Sequence, residues 1–317
     1  MVAEERSRGS SRLAVAALGS QSAFLGFNWY VMKIGLRHAD LWPFVALRTG
    51  LGAVALIALL VILRRPLRPQ APLLTLALGV LQTTAQFGML MWALDLGSAG
   101  RTSALVYAMP FWLMLMAWIF LGERIRGAQW VAGVLALAGL VAILDPSNLR
   151  GSLESKALAI GAGMVWAGSS IIAKKITRKA VVDLLNLSAW QMLMGSIPLV
   201  AIALVVPQRH VEWNPAFIGA LAYNVIPATA AAWYLWLFVL QVLPAGVAGV
   251  GTLAAPVIGI VASSLLLREE IGALEAVGMG LIVAALLVLT LRGLAGGRTR
   301  GLPRAVQGHP HGKNRQL

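Results

Sequence analysis

Ten long, nearly uncharged apolar stretches leave this chain few ways to fold. They run from 13 to 32, 41 to 63, 72 to 94, 98 to 121, 127 to 144, 157 to 173, 184 to 206, 215 to 239, 245 to 267 and 273 to 291. A helix needs roughly 20 mainly apolar residues to cross a bilayer, and backbone in lipid must satisfy its own hydrogen bonds, so each stretch reads as one span. Charged residues make up 12% of the chain, about half the share usual in soluble globular proteins. Almost nothing remains for a soluble domain. The first stretch follows Arg6, Arg8 and Arg12, but it exceeds the roughly 7 to 15 apolar residues of a signal-peptide core and is kept as a span.

The chain also repeats itself. Residues 97 to 144 overlay residues 243 to 290 without a gap, which puts Ala99, Gly100, Pro110, Glu123 and Ile125 on Ala245, Gly246, Pro256, Glu269 and Ile271. At a slightly different offset, Leu25 to Lys33 sets against Trp166 to Lys174. Five spans per copy is an odd number, so the second copy enters the membrane from the opposite side. The expectation is an all-α integral membrane protein of ten transmembrane helices, arranged as two inverted-topology five-helix repeats. Repeat 1 covers 13 to 144, a linker 145 to 156, and repeat 2 157 to 291, flanked by disordered tails at 1 to 12 and 292 to 317. Transporters commonly build a site between two such halves.

The net charge of +14 would suggest nucleic acid in a soluble protein, yet here the charges sit in loops. With a cytoplasmic N-terminus, inward segments carry 18 Lys and Arg and outward loops 7, which places both termini inside. No nucleic-acid partner is implied; the partners are the lipid bilayer and a small-molecule substrate. The chain has no cysteine, so disulfides and thiolate metal sites are excluded, and no metal or cofactor is indicated.

Polar residues deep in the spans are the informative minority, because a polar group facing lipid would go unpaired at a cost of several kcal/mol. Gln21, Phe24 and Asn28 share a face of span 1, Gln82, Gln86 and Met89 a face of span 3, and Gly163, Trp166 and Ser170 a face of span 6. Span 8 offers Tyr223, Asn224, Thr229 and Trp233. Either these groups simply bond between helices, or they line one cavity; amides mixed with Trp, Tyr and Met favour a cavity that takes flat apolar ligands. The candidate binding residues, with Tyr107 of span 4, are Asn28, Gln82, Gln86, Tyr107, Trp166, Ser170, Tyr223 and Trp233. Pro110, Pro227 and Pro256 each remove a backbone hydrogen bond inside a span and are read as hinges or bends. Trp42, Trp92, Trp130 and Trp213, near span ends, read as interfacial belt residues.

Two ionisable features stand out. Glu123 and Glu269 occupy the turns between paired spans and are expected to cap the helix that follows. Arg48 is the one full charge well inside a span, to be held by backbone carbonyls between spans 1 and 2 or to bind a substrate carboxylate. All twelve acids fall at or beyond span ends, which argues against proton coupling through a buried carboxylate and for facilitated or exchange transport.

The turn Phe120-Leu121-Gly122-Glu123-Arg124-Ile125, its echo Leu267-Arg268-Glu269-Glu270-Ile271, Gly26-Phe27-Asn28 ahead of Lys33, and Trp42-Pro43 ahead of Arg48 together resemble the EamA branch of the drug/metabolite transporter superfamily. The resemblance covers residues 13 to 291. Within it the chain looks most like the YddG-type aromatic amino acid exporters, on Tyr107 three residues ahead of Pro110 and on Trp166. It departs from them at Met109 and Leu25, where those exporters are expected to carry tryptophan. The resemblance implies a multi-pass protein of a bacterial-type plasma (inner) membrane that exports or exchanges aromatic or hydrophobic amino acids and related metabolites by alternating access. A purine, a sugar phosphate or a drug is the alternative substrate. An intramembrane enzyme is the outside class, and no His-Glu-x-x-His or mid-span catalytic grouping supports it.

Overall fold

The computed structural model describes residues 2–96, 99–124, 127–144, 152–179, 181–267 and 272–296. No strand occurs among them. The helices form ten rods: α1 Val2–His38, α2 Leu41–Ile62, α3 Pro72–Leu96, α4 (Ala99–Val106, then Met109–Leu121), α5 Ala128–Leu144, α6 Leu153–Lys179, α7 Leu184–Val205, α8 Pro215–Val242, α9 (Ala245–Gly251, then Ala254–Leu267) and α10 Ala273–Gly296. Among the described residues α2, α3, α6, α7 and α8 are single helices long and apolar enough to cross a membrane. Side chains set several boundaries. Asp183 accepts from the Leu185 and Asn186 N–H groups at the start of α7, and Asn214 accepts from Phe217 N–H one residue before Pro215 opens α8.

Three expected boundaries shift. Residues 2–12, expected as a disordered tail, continue α1; adding residues to an existing helix avoids the nucleation cost. For the same reason α6 starts at Leu153, inside the expected linker, and α10 runs on to Gly296. Glu269, Ile271 and the chain after residue 296 lie outside the described residues.

The bundle is polar within and apolar without. Gln21, Arg48, Thr49, Gln82, Thr83, Gln191 and Asn224 are buried, while Val54, Ile62, Leu73, Trp118, Ile119, Val134, Ile197 and Leu204 are exposed. Water would penalise so broad an apolar surface, whereas lipid accepts it. Trp92, Trp130 and Trp213 are exposed near rod ends, and Trp42 stacks edge-on against Trp92 at 6.3 Å.

Packing follows the repeat. The shift of 146 positions that lays Ala99 on Ala245 also lays a π-helical turn in α3, Val80–Ala85, on one in α8, Ile226–Ala231. Both α4 and α9 are interrupted, at residues 107–108 and 252–253, beside the prolines expected to act as hinges or bends. Each break lies where a proline withholds its N–H from the carbonyl four residues back, Pro110 from Val106 and Pro256 from Thr252. Helix neighbours pair the same way: α2 packs on α7 and α5 on α10, while the second half of α9 packs on α1 as that of α4 packs on α6. Gly163 lets the end of the first half of α4 approach α6, since a Cβ there would stand 2.8 Å from the Val106 carbonyl oxygen.

Turns gather at two ends. Arg65 pairs with Asp183, and the turn after α4 bonds the end of α6 and the start of α9. At the other end His38 and Asp40 bond Glu212 and Arg209, and Ser155 donates to the Ala93 carbonyl. Even-numbered turns meet even, and odd meet odd, as rods running end to end in alternation require.

Candidate substrate cavity

A narrow cleft, about 400 Å³ with the open solvent at its mouth included, lies between α1, α2, α3, α4, α6 and α8. Asn28, Gln86, Tyr107, Trp166 and Trp233 line it, together with Leu25, Trp29, Met32, Arg48, Phe87, Leu90 and Val106. Its walls are a chain of rings. Trp29 meets Tyr107 at 6.2 Å, Tyr107 meets Trp166 at 6.2 Å, Trp166 meets Trp233 at 5.6 Å, and Trp233 meets Phe87 at 5.6 Å. All four pairs are tilted or edge-on, the geometry that the aromatic quadrupole favours.

Polar groups among these rings lack partners. The Asn28 Oδ1, Gln86 Oε1, Trp166 Nε1 and Trp233 Nε1 atoms are buried and unbonded. Leaving a buried donor or acceptor unsatisfied costs about 1 to 3 kcal/mol, so four of them facing one space are the signature of groups waiting for a guest or for water.

Arg48, 1% exposed, extends from α2 into the same space. It is not held by backbone carbonyls, as the sequence led us to expect. Its Nε and Nη2 donate to the Thr229 hydroxyl of α8 at 3.2 and 3.0 Å, Nη1 lies 3.3 Å from the Met32 sulfur, and the guanidinium carbon sits 4.7 Å from the Phe87 ring centroid. The π-helical turn carries Thr229, and no carboxylate pairs with Arg48 among the described residues.

Three expected site residues lie off the cavity. Gln82 is buried with both amide atoms unbonded, yet it does not line the space. It stands four residues from Gln86, about one turn along α3, and the space reaches only Gln86. Ser170 donates to the Trp166 carbonyl and accepts from Trp236 Nε1, which braces α6 from behind. Tyr223 donates to the Phe24 carbonyl and packs edge-on against Phe27, tying α8 to α1. Conversely, Trp29 and Phe87 were unassigned from sequence. Each directly follows a predicted lining residue, and only a cavity spanning more than 100° of a helix takes in both.

Ion pairs tie the bundle together at one end. Gly122, in the left-handed conformation at φ 64°, ends α4, and the Glu123 N–H bonds back to the Ala117 carbonyl. Among the described residues the bonds of Glu123 run across the bundle instead of to the helix that follows it. Its carboxylate accepts from the Ala245 N–H that opens α9, at 2.8 Å, and pairs with Lys174 and Arg178 of α6. Lys174, 5% exposed, also donates to the Leu243 carbonyl. The N-terminus of α9 lies alongside. Lys33, which overlays Lys174 in the repeat, is exposed.

A broadly apolar exterior, two helical repeats and an aromatic-walled cavity between them define a membrane transporter. The chain belongs to the EamA-like transporter family, whose model matches residues 13–145 and again 155–291. It is 29% identical over 278 residues to a probable amino-acid metabolite efflux pump of Escherichia coli (strain K12), covering 83% of this chain and 90% of that one. An uncharacterized transporter of Bacillus subtilis (strain 168), YoaV, is 26% identical over 271 residues, covering 83% and 89%. A solved crystal structure shares the fold, with a TM-score of 0.77 over 90% of this chain and 98% of that one at 18% identity.

Proposed function

We propose that the protein exports or exchanges aromatic and hydrophobic amino acids and related metabolites by alternating access, through ten spans in two inverted repeats. The observation that carries the reading is the ring-walled cavity, whose single charge and unbonded amide oxygens match an amino acid's mixture of flat apolar body and polar head. The name of the E. coli relative, an amino-acid metabolite efflux pump, points the same way. A sugar phosphate fits less well, because Arg48 is the only cation among the lining residues.

On this reading the cavity faces outward. The charge bias puts the Glu123 end in the cytoplasm, where its ion pairs join α4, α6 and α9 beneath the cavity. Opening inward then requires those pairs to part while the halves of α4 and α9 swing about the breaks before Pro110 and Pro256, with Pro227 loosening α8. Gln82 and Gln21, buried with unbonded amides on the cytoplasmic side of Gln86 and Asn28, become wall residues in the inward-facing form. Tags on the two chain ends, shielded from an impermeant reagent in intact cells, check the orientation. The substrate reading is tested by counterflow in liposomes across the twenty amino acids, purines and sugar phosphates. Tryptophan, phenylalanine, tyrosine or the large aliphatic amino acids are expected to exchange; exchange of purines or sugar phosphates alone would refute it.

A further inference from the structure

We propose that Arg48 reads the substrate's carboxylate and so makes this cavity selective for acids over amines. The inference rests on the cavity being the transport site, and it sets substrate class independently of which ring the substrate carries.

A guanidinium has five N–H donors. In the structure two bonds go to one hydroxyl, that of Thr229, and one to a thioether, a weak acceptor. Thr229 occupies the Nε–Nη2 edge, which leaves the Nη1–Nη2 fork to a planar anion. That fork has the spacing a carboxylate takes in a bidentate pair. An ion in low dielectric without a counter-charge is costly, and a buried cation normally has an anion to offset it. Thr229 and the Phe87 face compensate only in part, and a substrate carboxylate would complete the pair. Asn28 Oδ1 and Gln86 Oε1, the unbonded acceptors on the same cavity wall, suit the ammonium of an α-amino acid. The aromatic chain from Trp29 to Trp233 then takes the side chain. Arg48 repels a ligand whose only charge is positive, so organic amines and cationic drugs are disfavoured however well their rings fit.

The test is a head-group series on one ring. L-tryptophan, indole-3-propionate (carboxylate only), tryptamine (ammonium only) and indole-3-propionamide (neutral) are compared by ligand-induced thermal shift on purified protein and by competition in counterflow. Wild type should bind both carboxylates about 30-fold or more tighter than tryptamine, the scale for a buried, hydrogen-bonded charge pair. Arg48→Gln should lose that preference, with binding of the neutral amide little changed. Arg48→Lys keeps the charge but not the fork, and should retain part of the preference.

Tryptamine or the amide binding as tightly as the acids to wild type overturns the proposal, with no mutant needed if Arg48→Gln fails to fold. An unchanged acid preference in folded Arg48→Gln overturns it too. Tight binding of indole-3-propionate without transport of any amino acid would support Arg48 as the carboxylate reader and refute the amino acid reading alone. No binding by any of the four compounds would overturn both.

Discussion

Trp166→Ala removes the ring at the centre of the cavity wall. Trp166, 3% exposed, touches Tyr107, Trp233 and Trp236 with centroids 6.2, 5.6 and 5.9 Å away. Each aromatic pair is worth about 0.5 to 1.5 kcal/mol beyond area burial, and Trp→Ala substitutions in packed sites cost roughly 3 to 5 kcal/mol in all. The ring therefore also braces the bundle, so a lowered melting temperature is expected, unlike for a residue that only faced a ligand. If substrate stacks on it, affinity falls by a further 1 to 3 kcal/mol or so, about 5- to 150-fold. Trp166→Phe separates the two effects, since it keeps a ring against Tyr107 and Trp233 while removing the unbonded indole N–H. The assay is counterflow KM beside thermal stability, with Trp92→Ala as control because Trp92 is half exposed at a rod end. Both Trp166 variants should raise KM, the alanine variant more, and the control should not. Wild-type KM in folded Trp166→Ala would remove this ring from the site and undercut the aromatic-substrate reading.

Transport should need no imposed proton gradient, because no carboxylate lines the cavity; uphill accumulation driven by a pH difference alone would contradict this. Glu123→Gln leaves Lys174 and Arg178 without a counter-charge and should open the cytoplasmic end. A single cysteine at Met114, beside Glu123 in a chain that otherwise has none, should then react roughly 10-fold or more faster with a reagent from that side. An unchanged rate would show that the ion pairs do not hold the end closed. Asp40 accepts from the Arg209 backbone N–H and guanidinium at 2.8 and 2.7 Å, which holds its carboxyl below its ordinary value. The stability from this tie is present above the unfolded pKa of about 3.9 and lost as pH falls through the lower folded value. Asp40→Asn should therefore lower the melting temperature at pH 7, with the gap closing below about pH 4; a gap independent of pH would refute the linkage.

Much of the bundle was legible because a bilayer permits so little. Apolar length located all ten rods, and the gapless overlay that joins Pro110 to Pro256 anticipated that α4 and α9 would deform alike. The kind of deformation was not legible. A proline announces a lost hydrogen bond, but neighbouring side chains decide whether the helix bends or breaks. The π-helical turn at Val80–Ala85 has no proline to announce it; Thr83 and Thr84 instead bond Gln191 and the Gly195 carbonyl of α7. Helical spacing put Gln82 and Gln86 on one face of α3, but it carries no information on how far along that face the cavity reaches. Ser170 and Tyr223 have the chemistry of site residues, and only the structure shows their hydroxyls already committed to backbone carbonyls. Arg48 was singled out as a lone charge, yet its partner Thr229 lies 181 positions away, a separation over which periodicity carries no information. Pro198, inside α7, gave no sign of a role in the sequence and has none in the cavity.

The central claim is that substrate sits between the two repeats with its ring among Tyr107, Trp166 and Trp233 and its carboxylate on Arg48. A structure of the protein determined with bound L-tryptophan tests it directly. The account predicts density for the indole within van der Waals distance of those three rings and both carboxylate oxygens at hydrogen-bonding distance from the guanidinium fork. Density for the amino acid elsewhere, or in the cavity with its carboxylate turned away from Arg48, would contradict it.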